Sequence, residues 1–346
     1  MRVNRHRIKI VLLTLLIFAS WGYSVYLENF AAKNYDTVSV RLEGNGVEQS
    51  DLEEAVVEAQ SIDNAHTPIQ VTAWNRGPRI TLENKKLGTS AETRIIEIYG
   101  SMAEICPVKL LYGNFCYQDD KDGCVIDDKT AYDLFRNKNV VGNTISYEDK
   151  QYVIRGIVKS KERMVLLSDY QEDAKYLNLE LIFGNMEQGE ELAKSFISNY
   201  ALTFDYITII EGSFYAKLLH NTILFPSIVI WLYLLLYCGR KAYRKRSIPL
   251  QFGLYIVLFV LILVLYLGSG QFDFYYPDRF IPTRWSDFEF WSRTAKEWRE
   301  KLTDFSYLLP LPKEQILKRT FLMCHLMSAV AVGGMIGLIQ LLKAEK

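Results

Sequence analysis

Apolar and polar residues are segregated along this chain into a few long blocks. Four apolar stretches have cores free of charged side chains, and they run about Ile10–Leu27, Thr222–Cys238, Phe252–Gly268 and Phe321–Leu342. At ~1.5 Å per helical residue, each stretch with its flanks is long enough to cross a hydrocarbon core of ~30 Å. A long polar block separates the first stretch from the other three. The pattern therefore predicts four transmembrane helices and one large domain in water.

Basic residues at the ends of these stretches predict their direction across the membrane. They are Arg2, Arg5, Arg7 and Lys9 before the first stretch, Arg240, Lys241, Arg244, Lys245 and Arg246 between the second and third, and Lys343 and Lys346 after the fourth. Because short basic segments mark the cytoplasmic side, we expect both termini to lie on the cytoplasmic side of the cell membrane. The first stretch is longer than the apolar run of about 7–15 residues in a signal peptide, so we expect it to remain as an anchor.

These boundaries divide the chain into segments. Residues 1–29 hold the cytoplasmic N-terminus and first span, 30–215 the extracytoplasmic core domain, 216–238 the second span, 239–250 a cytoplasmic link, 251–268 the third span, 269–320 an outer aromatic loop, and 321–346 the fourth span with a cytoplasmic tail. Acidic and basic residues are equal in number, at 40 each, and no basic surface for nucleic acid stands out. We expect the lipid bilayer, and not nucleic acid, as a partner.

The polar block 30–215 shows the periodicities of both strands and helices. Strands are predicted at Thr37–Leu42, Ile69–Trp74, Arg79–Leu82, Thr93–Tyr99, Cys124–Ile126, Asn143–Tyr147, Tyr152–Val158, Leu177–Phe183 and Phe204–Ile210. Helices are predicted from Ser50, where a capping box precedes an apolar face, and over Asp128–Arg136 and Gly189–Tyr200. The fold class that follows is an α+β extracytoplasmic domain, made of two βα lobes with a strand-rich middle, on a four-helix transmembrane region.

An ordered series of short motifs in residues 113–158 resembles a known family. The motifs are Gly113-Asn114-Phe115, Asp122–Asp127, Ala131-x-x-Leu134-Phe135, Val141–Ile145 and Tyr152–Val158. Their order and spacing look like the extracytoplasmic core domain of MacB-like and FtsX-like ABC transporter permeases. The arrangement of one span, a large outer domain and three further spans is similar as well. In these motifs, Gly113 and Gly142 stand where turns need a permissive backbone.

The resemblance implies a permease subunit of an ABC transporter complex, without a catalytic site or a cofactor of its own. Such a subunit forms a homodimer or pairs with a paralogous permease. It passes the motion of a separate cytoplasmic ATPase to its outer domains, for export or signalling that involves peptides, lipoproteins or antimicrobials. The sequence also lacks a G-x-x-x-x-G-K-[ST] phosphate loop. The alternative is a membrane-tethered sensory or adaptor protein that keeps the outer domain without transport coupling.

The 239–250 link departs from the coupling stretch of that family, which is of the type E-x-x-x-x-K-A-I-G-A. Its basic residues, Arg240, Lys241, Arg244, Lys245 and Arg246, have two interpretations. They orient the neighbouring spans through the positive-inside effect, or they contact an acidic patch on the ATPase.

Spacings of three and four residues over Phe288–Phe305 predict an amphipathic helix in the outer loop. Its aromatic face includes Phe288, Trp291 and Trp298. Such a face lies in the membrane interface or packs on the outer domain of the same chain, and a peptide groove is a third interpretation.

Cysteines and glycines offer further candidate contacts. Cys116 and Cys124 bracket a predicted hairpin, so the sequence is compatible either with a disulfide between them or with two buried free thiols. In the fourth span, Gly333 and Gly337 form a G-x-x-x-G pair that permits close packing of a helix from the same chain or from a second one. The acidic residues of the 119–128 turn lack an EF-hand order, so no metal site is predicted there.

The predicted topology can be tested by labelling. Single cysteines introduced near Asp119, Trp298 and Arg244, in a chain whose own cysteines are replaced, are treated with a membrane-impermeant thiol reagent in intact cells. We expect labelling near Asp119 and Trp298 and none near Arg244, because only the first two positions lie outside. Labelling near Arg244 without labelling near Asp119 would contradict the topology.

Overall fold

The computed structural model describes two compact units of the chain. It describes residues 2–44, 46–62, 67–105, 108–148, 150–168, 174–199, 206–268, 274–275, 282, 284, 287–307 and 311–344. The helical unit comprises Met1–Lys33, Phe214–Arg299 and Glu314–Lys346. The mixed unit comprises Asn34–Ser213 and Glu300–Lys313, so residues 300–313 of the 269–320 segment belong with the α/β part of the chain.

The secondary structure combines long helices with short strands. The helices are α1 (Arg2–Asn34), α2 (Gln49–Ile62), α3 (Met102–Ile105), α4 (Asp128–Phe135), α5 (Gly189–Asn199), α6 (Gly212–Arg244), α7 (Pro249–Gly268), α8 (Phe290–Tyr307) and α9 (Pro312–Ala344). The strands are β1 (Val38–Glu43), β2 (Val47–Glu48), β3 (Gln70–Asn84), β4 (Thr89–Tyr99), β5 (Lys109–Gly113), β6 (Gly123–Asp127), β7 (Thr144–Tyr147), β8 (Lys150–Lys159), β9 (Met164–Ser168), β10 (Lys175–Tyr176), β11 (Asn178–Ile182) and β12 (Tyr206–Glu211).

The four predicted apolar stretches all lie in long helices. The segments long and apolar enough to cross a membrane are Arg7–Asn34 in α1, Gly212–Arg244 in α6, Pro249–Gly268 in α7 and Lys313–Lys343 in α9. Helix α6 begins at Gly212, ahead of the predicted apolar stretch, so residues 212–221 extend this helix. The connection between α6 and α7 is shorter than the predicted 239–250 link, because α6 continues to Arg244 and α7 begins at Pro249.

In the helical unit, α1 packs against both α6 and α9. The Trp21 indole donates a hydrogen bond to the carbonyl of Ile223 at 3.0 Å, and the Ser24 hydroxyl donates to the carbonyl of Cys324 at 3.3 Å. A Cβ atom on Gly334 would lie 2.8 Å from the Ile17 side chain, so this glycine allows α9 to approach α1 closely. Helix α7 has no buried residues, and its apolar side chains face outward.

The mixed unit is built on one ten-stranded sheet. Its strand order is β12-β1-β11-β3-β4-β9-β6-β8-β5, and β7 pairs with both β3 and β8. The β4/β9 and β6/β8 pairs are parallel, and the other pairs in the sheet are antiparallel. The pairings β3-β4-β9-β6-β8-β7-β3 form a closed ring. A mixed α/β domain with a large sheet is therefore present, while its division into two βα lobes stays a prediction.

Helices cover the sheet through apolar faces. One cluster joins β1, β3 and β11 to α2 and α5, and a second joins strands of the closed ring to α4. Ala131 and Leu134 of α4 are fully buried in the second cluster. Removing such side chains from water contributes roughly 25 cal/mol per Å² of apolar surface. The two clusters fix the strands that carry the site described below.

Several strands differ from the predicted ones for physical reasons. The predicted strands at residues 69–74 and 79–82 form the single strand β3, because a bulge between Arg76 and Arg79 accommodates Gly77 and Pro78 within the ladder. Strand β9 was not predicted. Four of its five residues are buried, and such a strand has no alternation of apolar and polar residues to reveal it. Strand β5 was missed as well.

The motif region has the local geometry that its residues predict. Asp127 caps α4, because its carboxylate accepts hydrogen bonds from the backbone N–H groups of Lys129 and Thr130 at 2.9 and 3.2 Å. Gly113 adopts a φ of 70°, and a Cβ atom there would lie 2.1 Å from the carbonyl oxygen of Arg155. Glycine is therefore needed at this position for two independent reasons.

Candidate functional site

The three points where the mixed unit joins α1, α6 and α9 are held together by one buried polar cluster. We call it the junction cluster, and its members are Tyr35, Thr37, Ser39, Arg41, Trp74, Glu180, Gly212 and Lys313. Tyr35 and Thr37 follow α1, Gly212 begins α6, and Lys313 lies in the first turn of α9. All of these residues belong to the mixed unit.

Glu180 is the centre of the junction cluster. It lies on β11, and its side chain is fully buried. Its Oε1 atom accepts hydrogen bonds from Arg41 at 2.7 Å and from the Trp74 indole at 3.3 Å. Its Oε2 atom accepts from Lys313 at 2.7 Å and from Ser39 at 2.5 Å. Both carboxylate oxygens are thus satisfied, as a buried charge requires.

Lys313 uses all three of its ammonium protons. Besides Glu180, its Nζ atom donates to the Thr37 hydroxyl at 2.8 Å and to the backbone carbonyl of Glu104 at 2.8 Å. The side chain of Lys313 is only 2% exposed. An ammonium group has three donors, so this geometry leaves none of them unused. The first turn of α9 is fixed to β1, α3 and β11 through one side chain.

Two backbone contacts complete the junction. The Tyr35 hydroxyl donates to the carbonyl of Lys313 at 2.9 Å, and the N–H of Gly212 donates to the carbonyl of Thr37 at 3.0 Å. A Cβ atom on Gly212 would lie 2.4 Å from the carbonyl of Tyr35, so a larger residue would force the chain apart here. The segments that lead into α1, α6 and α9 therefore contact one another directly.

The electrostatics of the cluster keep Glu180 ionised. Burial by itself raises the pKa of this carboxyl, but the opposing charges of Arg41 and Lys313 outweigh it, and the pKa lies below its usual value. Arg41 also lies over the Trp74 ring, with 5.2 Å between the guanidinium carbon and the ring centroid. Near Lys313, burial raises the pKa of Glu104. A carboxylate between two cations at neutral pH is the stable state of the site.

Sequence reasoning missed this cluster although a signal for it exists. Arg41 lies in the predicted strand Thr37–Leu42 and Glu180 in the predicted strand Leu177–Phe183, and each faces the opposite side to the apolar residues. Alternation of this kind is typical of a strand that has one face in water. Both faces of β1 and β11 are instead buried over most of their length, so the charged side chains require partners. Lys313 lies far away in sequence, and only the fold identifies it as the second cation.

The basic residues of the link lie at one end of α6 and in the turn that follows. Arg240, Arg244 and Arg246 are exposed, whereas Lys241 and Lys245 are half-buried. Basic side chains at a helix C-terminus interact favourably with its dipole, which is a structural role that needs no partner. Their contact with an ATPase stays a prediction.

The structure separates the members of the predicted aromatic face. Helix α8 confirms the predicted helix, with bounds shifted by two residues at each end. Trp298 packs edge-on against Phe214 with their ring centroids 5.2 Å apart. Phe288 precedes α8 and is 89% exposed, and Trp291 is 53% exposed. One aromatic residue of the face therefore packs within the helical unit, and two remain accessible.

The candidate cysteine and glycine contacts have different surroundings. Cys116 and Cys124 are free and buried. Burial raises the pKa of Cys116 to about 12, and the charge of Asp120 is the second cause. A thiol with so little thiolate reacts slowly in thiol–disulfide exchange.

A Cβ atom on Gly337 would lie 3.5 Å from Leu13 of α1, whereas one on Gly333 would meet nothing within 4 Å. Gly337 therefore lies against a helix of the same chain, and the packing of a helix from a second chain on this glycine pair stays a prediction.

Three acidic residues of the 119–128 turn, Asp120, Asp127 and Asp128, have partners within the mixed unit. Asp120 pairs with Arg155 at 2.7 Å, and this hydrogen bond lowers the pKa of Asp120. Asp127 caps α4, and Asp128 pairs with Lys138 at 2.8 Å. These carboxylates therefore stabilise the turn and the start of a helix.

Comparisons with known proteins find similarity only at the level of structure. No protein-family model and no curated protein sequence matches the chain. The extracellular domain of the noncanonic ABC-type transporter YknZ from Gram-positive bacteria is similar with a TM-score of 0.39 and 13% identity, over 50% of this chain and 99% of that domain. The periplasmic region of MacB from Actinobacillus actinomycetemcomitans is similar with a TM-score of 0.40 and 13% identity, over 54% of this chain and 94% of that region. At this low identity and TM-score we draw no functional conclusion from either similarity.

The junction cluster generates a prediction about stability. Replacing Lys313 by Met removes one of the two cations beside Glu180 and leaves the Thr37 hydroxyl and the Glu104 carbonyl without their donor. Breaking a buried ion pair on one side costs about 3–5 kcal/mol, and we expect a loss of this order in the free energy of unfolding. Urea denaturation in detergent, followed by circular dichroism, measures the loss.

A matched control is Lys109→Met, which removes the same charge from an exposed position on β5. Substitutions at such positions change the free energy of unfolding by no more than about 0.5 kcal/mol. Equal effects of the two substitutions would show that Lys313 contributes nothing beyond a surface lysine.

Proposed function

We propose that the chain is a permease-type membrane subunit of an ABC transporter complex. In this proposal, a separate cytoplasmic ATPase supplies the energy, and the mixed unit lies on the extracytoplasmic side. The observation that supports it best is the junction cluster, in which the segments next to α1 and α9 share the buried Glu180 carboxylate and the start of α6 donates a backbone hydrogen bond to Thr37 beside it. An anchored domain needs only one such helix, whereas a domain that is driven by helices needs stiff connections to several of them.

The cluster is suited to transmit motion because its parts cannot move separately at low cost. Moving Lys313 away from Glu180 would leave a buried charge without one of its partners, which is strongly unfavourable in an apolar interior. A shift of α9 along its axis is therefore passed to β11 through Lys313. A shift of α1 or α6 reaches β1 and β12 through the backbone, since Tyr35 and Gly212 adjoin these strands directly. The response of the mixed unit is thus a displacement of β12, β1 and β11, the three strands at one end of the sheet order.

At the other end of α6, the short turn before α7 is the proposed contact for the ATPase. Only Lys245–Ile248 separate the two helices, so a force applied at this turn acts on both. Arg240, Arg244 and Arg246 are exposed there and are suited to an acidic surface. The same residues can also orient the helices, because both roles require positive charge on the cytoplasmic side of the membrane.

A second permease subunit is proposed to cover part of the helical unit. Helix α7 has no buried residues in a single chain, and Gly333 on α9 has open space around it. Lipid covers such surfaces, and so does a neighbouring helix that uses small residues to approach closely. The partner in this proposal is a second copy of the chain or a paralogous permease. ATP hydrolysis is assigned to the separate ATPase and not to this chain.

Co-purification tests the proposal. The tagged chain is isolated from native membranes in mild detergent, and the attached proteins are identified and assayed for ATP hydrolysis. We expect a nucleotide-hydrolysing subunit to be recovered with the wild type and to be lost with Arg244→Glu/Lys245→Glu, because charge reversal repels an acidic contact surface. The control Lys86→Glu/Lys109→Glu changes two lysines in the mixed unit and is expected to retain the subunit.

Insertion of the link variant is first checked by cysteine labelling, since the same residues orient the spans. Absence of any ATPase from the wild-type preparation would favour the alternative, a membrane-tethered sensory or adaptor protein. Retention of the ATPase by a correctly inserted link variant would reject this contact surface while leaving the permease role intact.

A further inference from the structure

A bulge in β3 gathers arginines on one surface of the mixed unit. It falls between Arg76 and Arg79, and it contains Gly77 and Pro78. A Cβ atom on Gly77 would lie 2.4 Å from the side chain of Ile95 on β4, so only glycine allows the strands to approach here. Proline is tolerated within a sheet at bulges, and bulges change the direction of neighbouring side chains. The bulge therefore sets where these arginines lie.

The register beside the bulge brings like charges together. Arg79 on β3 is directly opposite Arg94 on β4, and like charges in this arrangement destabilise a sheet. Arg76 and Arg94 also converge on a single carboxylate oxygen, Oε1 of Glu162, which Arg94 approaches to 3.3 Å. Arg94 also donates to the carbonyl of Gly77 at 2.9 Å. The Glu162 carboxylate thus pairs with two guanidinium groups, those of Arg76 and Arg94, and not with that of Arg79.

A cavity of about 360 Å³ lies at this place. Its charged lining consists of Arg79, Glu92, Arg94, Lys161, Glu162 and Arg163. Four cations and two carboxylates leave an excess of two positive charges, and Arg163 already pairs with Asp133 at 2.5 Å. Within the described part of the chain, neither Arg79 nor Lys161 has an ion-pair partner. The volume is within the range of small-molecule sites, at its lower end.

We propose that this cavity, the arginine pocket, binds a small anion that carries at least two acidic oxygens, of the carboxylate or phosphate class. Guanidinium groups recognise such oxygens with two parallel hydrogen bonds, and these charge-assisted bonds are the strong ones. A bound anion between Arg79, Arg94 and Lys161 offsets the repulsion that the strand register creates. The proposal uses residues of the mixed unit only and does not depend on the proposed transport role.

The alternative is that these arginines form a solvated basic surface without a specific ligand, and a test has to distinguish this surface from an anion-binding site. Any basic surface responds to salt, but the response of a diffuse patch follows ionic strength and not the identity of two side chains. A site saturates and depends on particular residues. Arg79 and Lys161 are suitable for substitution because they are exposed and unpaired within the described residues, so their loss leaves the Glu162 contacts in place.

The experiment uses the full-length protein in detergent, with inorganic phosphate and citrate as probes and with chloride adjusted to constant ionic strength. Isothermal titration calorimetry measures binding, and the thermal unfolding midpoint measures linkage to stability. We expect saturable binding of at least one probe to the wild type. We expect Arg79→Gln/Lys161→Gln to weaken it about tenfold or more. Lys86→Gln/Lys109→Gln, which removes two exposed charges elsewhere in the mixed unit, is expected to bind as the wild type does.

Two results would overturn the proposal: no saturable binding to the wild type, or equal weakening by the two double variants. A second arm identifies the source of the anion. The unfolding midpoint is compared in nanodiscs of zwitterionic and of anionic phospholipid without added phosphate. Stabilisation by anionic lipid that is lost in Arg79→Gln/Lys161→Gln would support the site and make the ligand a headgroup. Stabilisation by the free probes alone would support the site with a soluble anion.

Discussion

The buried carboxylate of Glu180 is the constraint on which the junction of this protein depends. A fully buried charge is tolerated only when opposite charges and hydrogen-bond donors surround it, and here Arg41 from β1 and Lys313 from α9 supply the charges. Arg41 lies on β1, which pairs with β11 through the backbone, whereas Lys313 is far away in sequence and reaches β11 through its contact with Glu180. The path of the chain into α9 follows from that pairing.

Apolar residues of similar size would hold these segments together at least as firmly, so stability alone does not account for the charges. A buried ion pair has directional requirements that an apolar contact lacks, and it therefore defines one position of Lys313 relative to Glu180 on β11. In the proposed function this fixed position is what allows helix motion to reach the sheet without slippage. The arginine pocket differs in kind, because there the strand register brings cations together without enough carboxylates to balance them.

The local elements could be predicted from the sequence, and the site could not. The apolar stretches, the helix that begins at Asp128 and the turn glycine Gly113 depend on residues close in the chain, so their patterns are visible without the fold. Strand β9 escaped prediction because buried strands lose the alternation of apolar and polar residues. Glu180 and Lys313 are 133 residues apart, and their pairing depends on tertiary structure. The only sequence signal was a charged residue on each of two strands that prove to be buried on both faces.

Hydrogen exchange in the proposed complex of this chain with an ATPase tests the central proposal, that the junction cluster passes helix motion to the strands of the mixed unit. Exchange is measured by mass spectrometry with and without nucleotide on the ATPase, for the wild type and for Lys313→Gln, which keeps donors but removes the charge. The account predicts nucleotide-dependent exchange in β1, β11 and β12 of the wild type. In the variant, this response is lost while the response of the helical unit remains. An undiminished response of the three strands in Lys313→Gln would contradict the account.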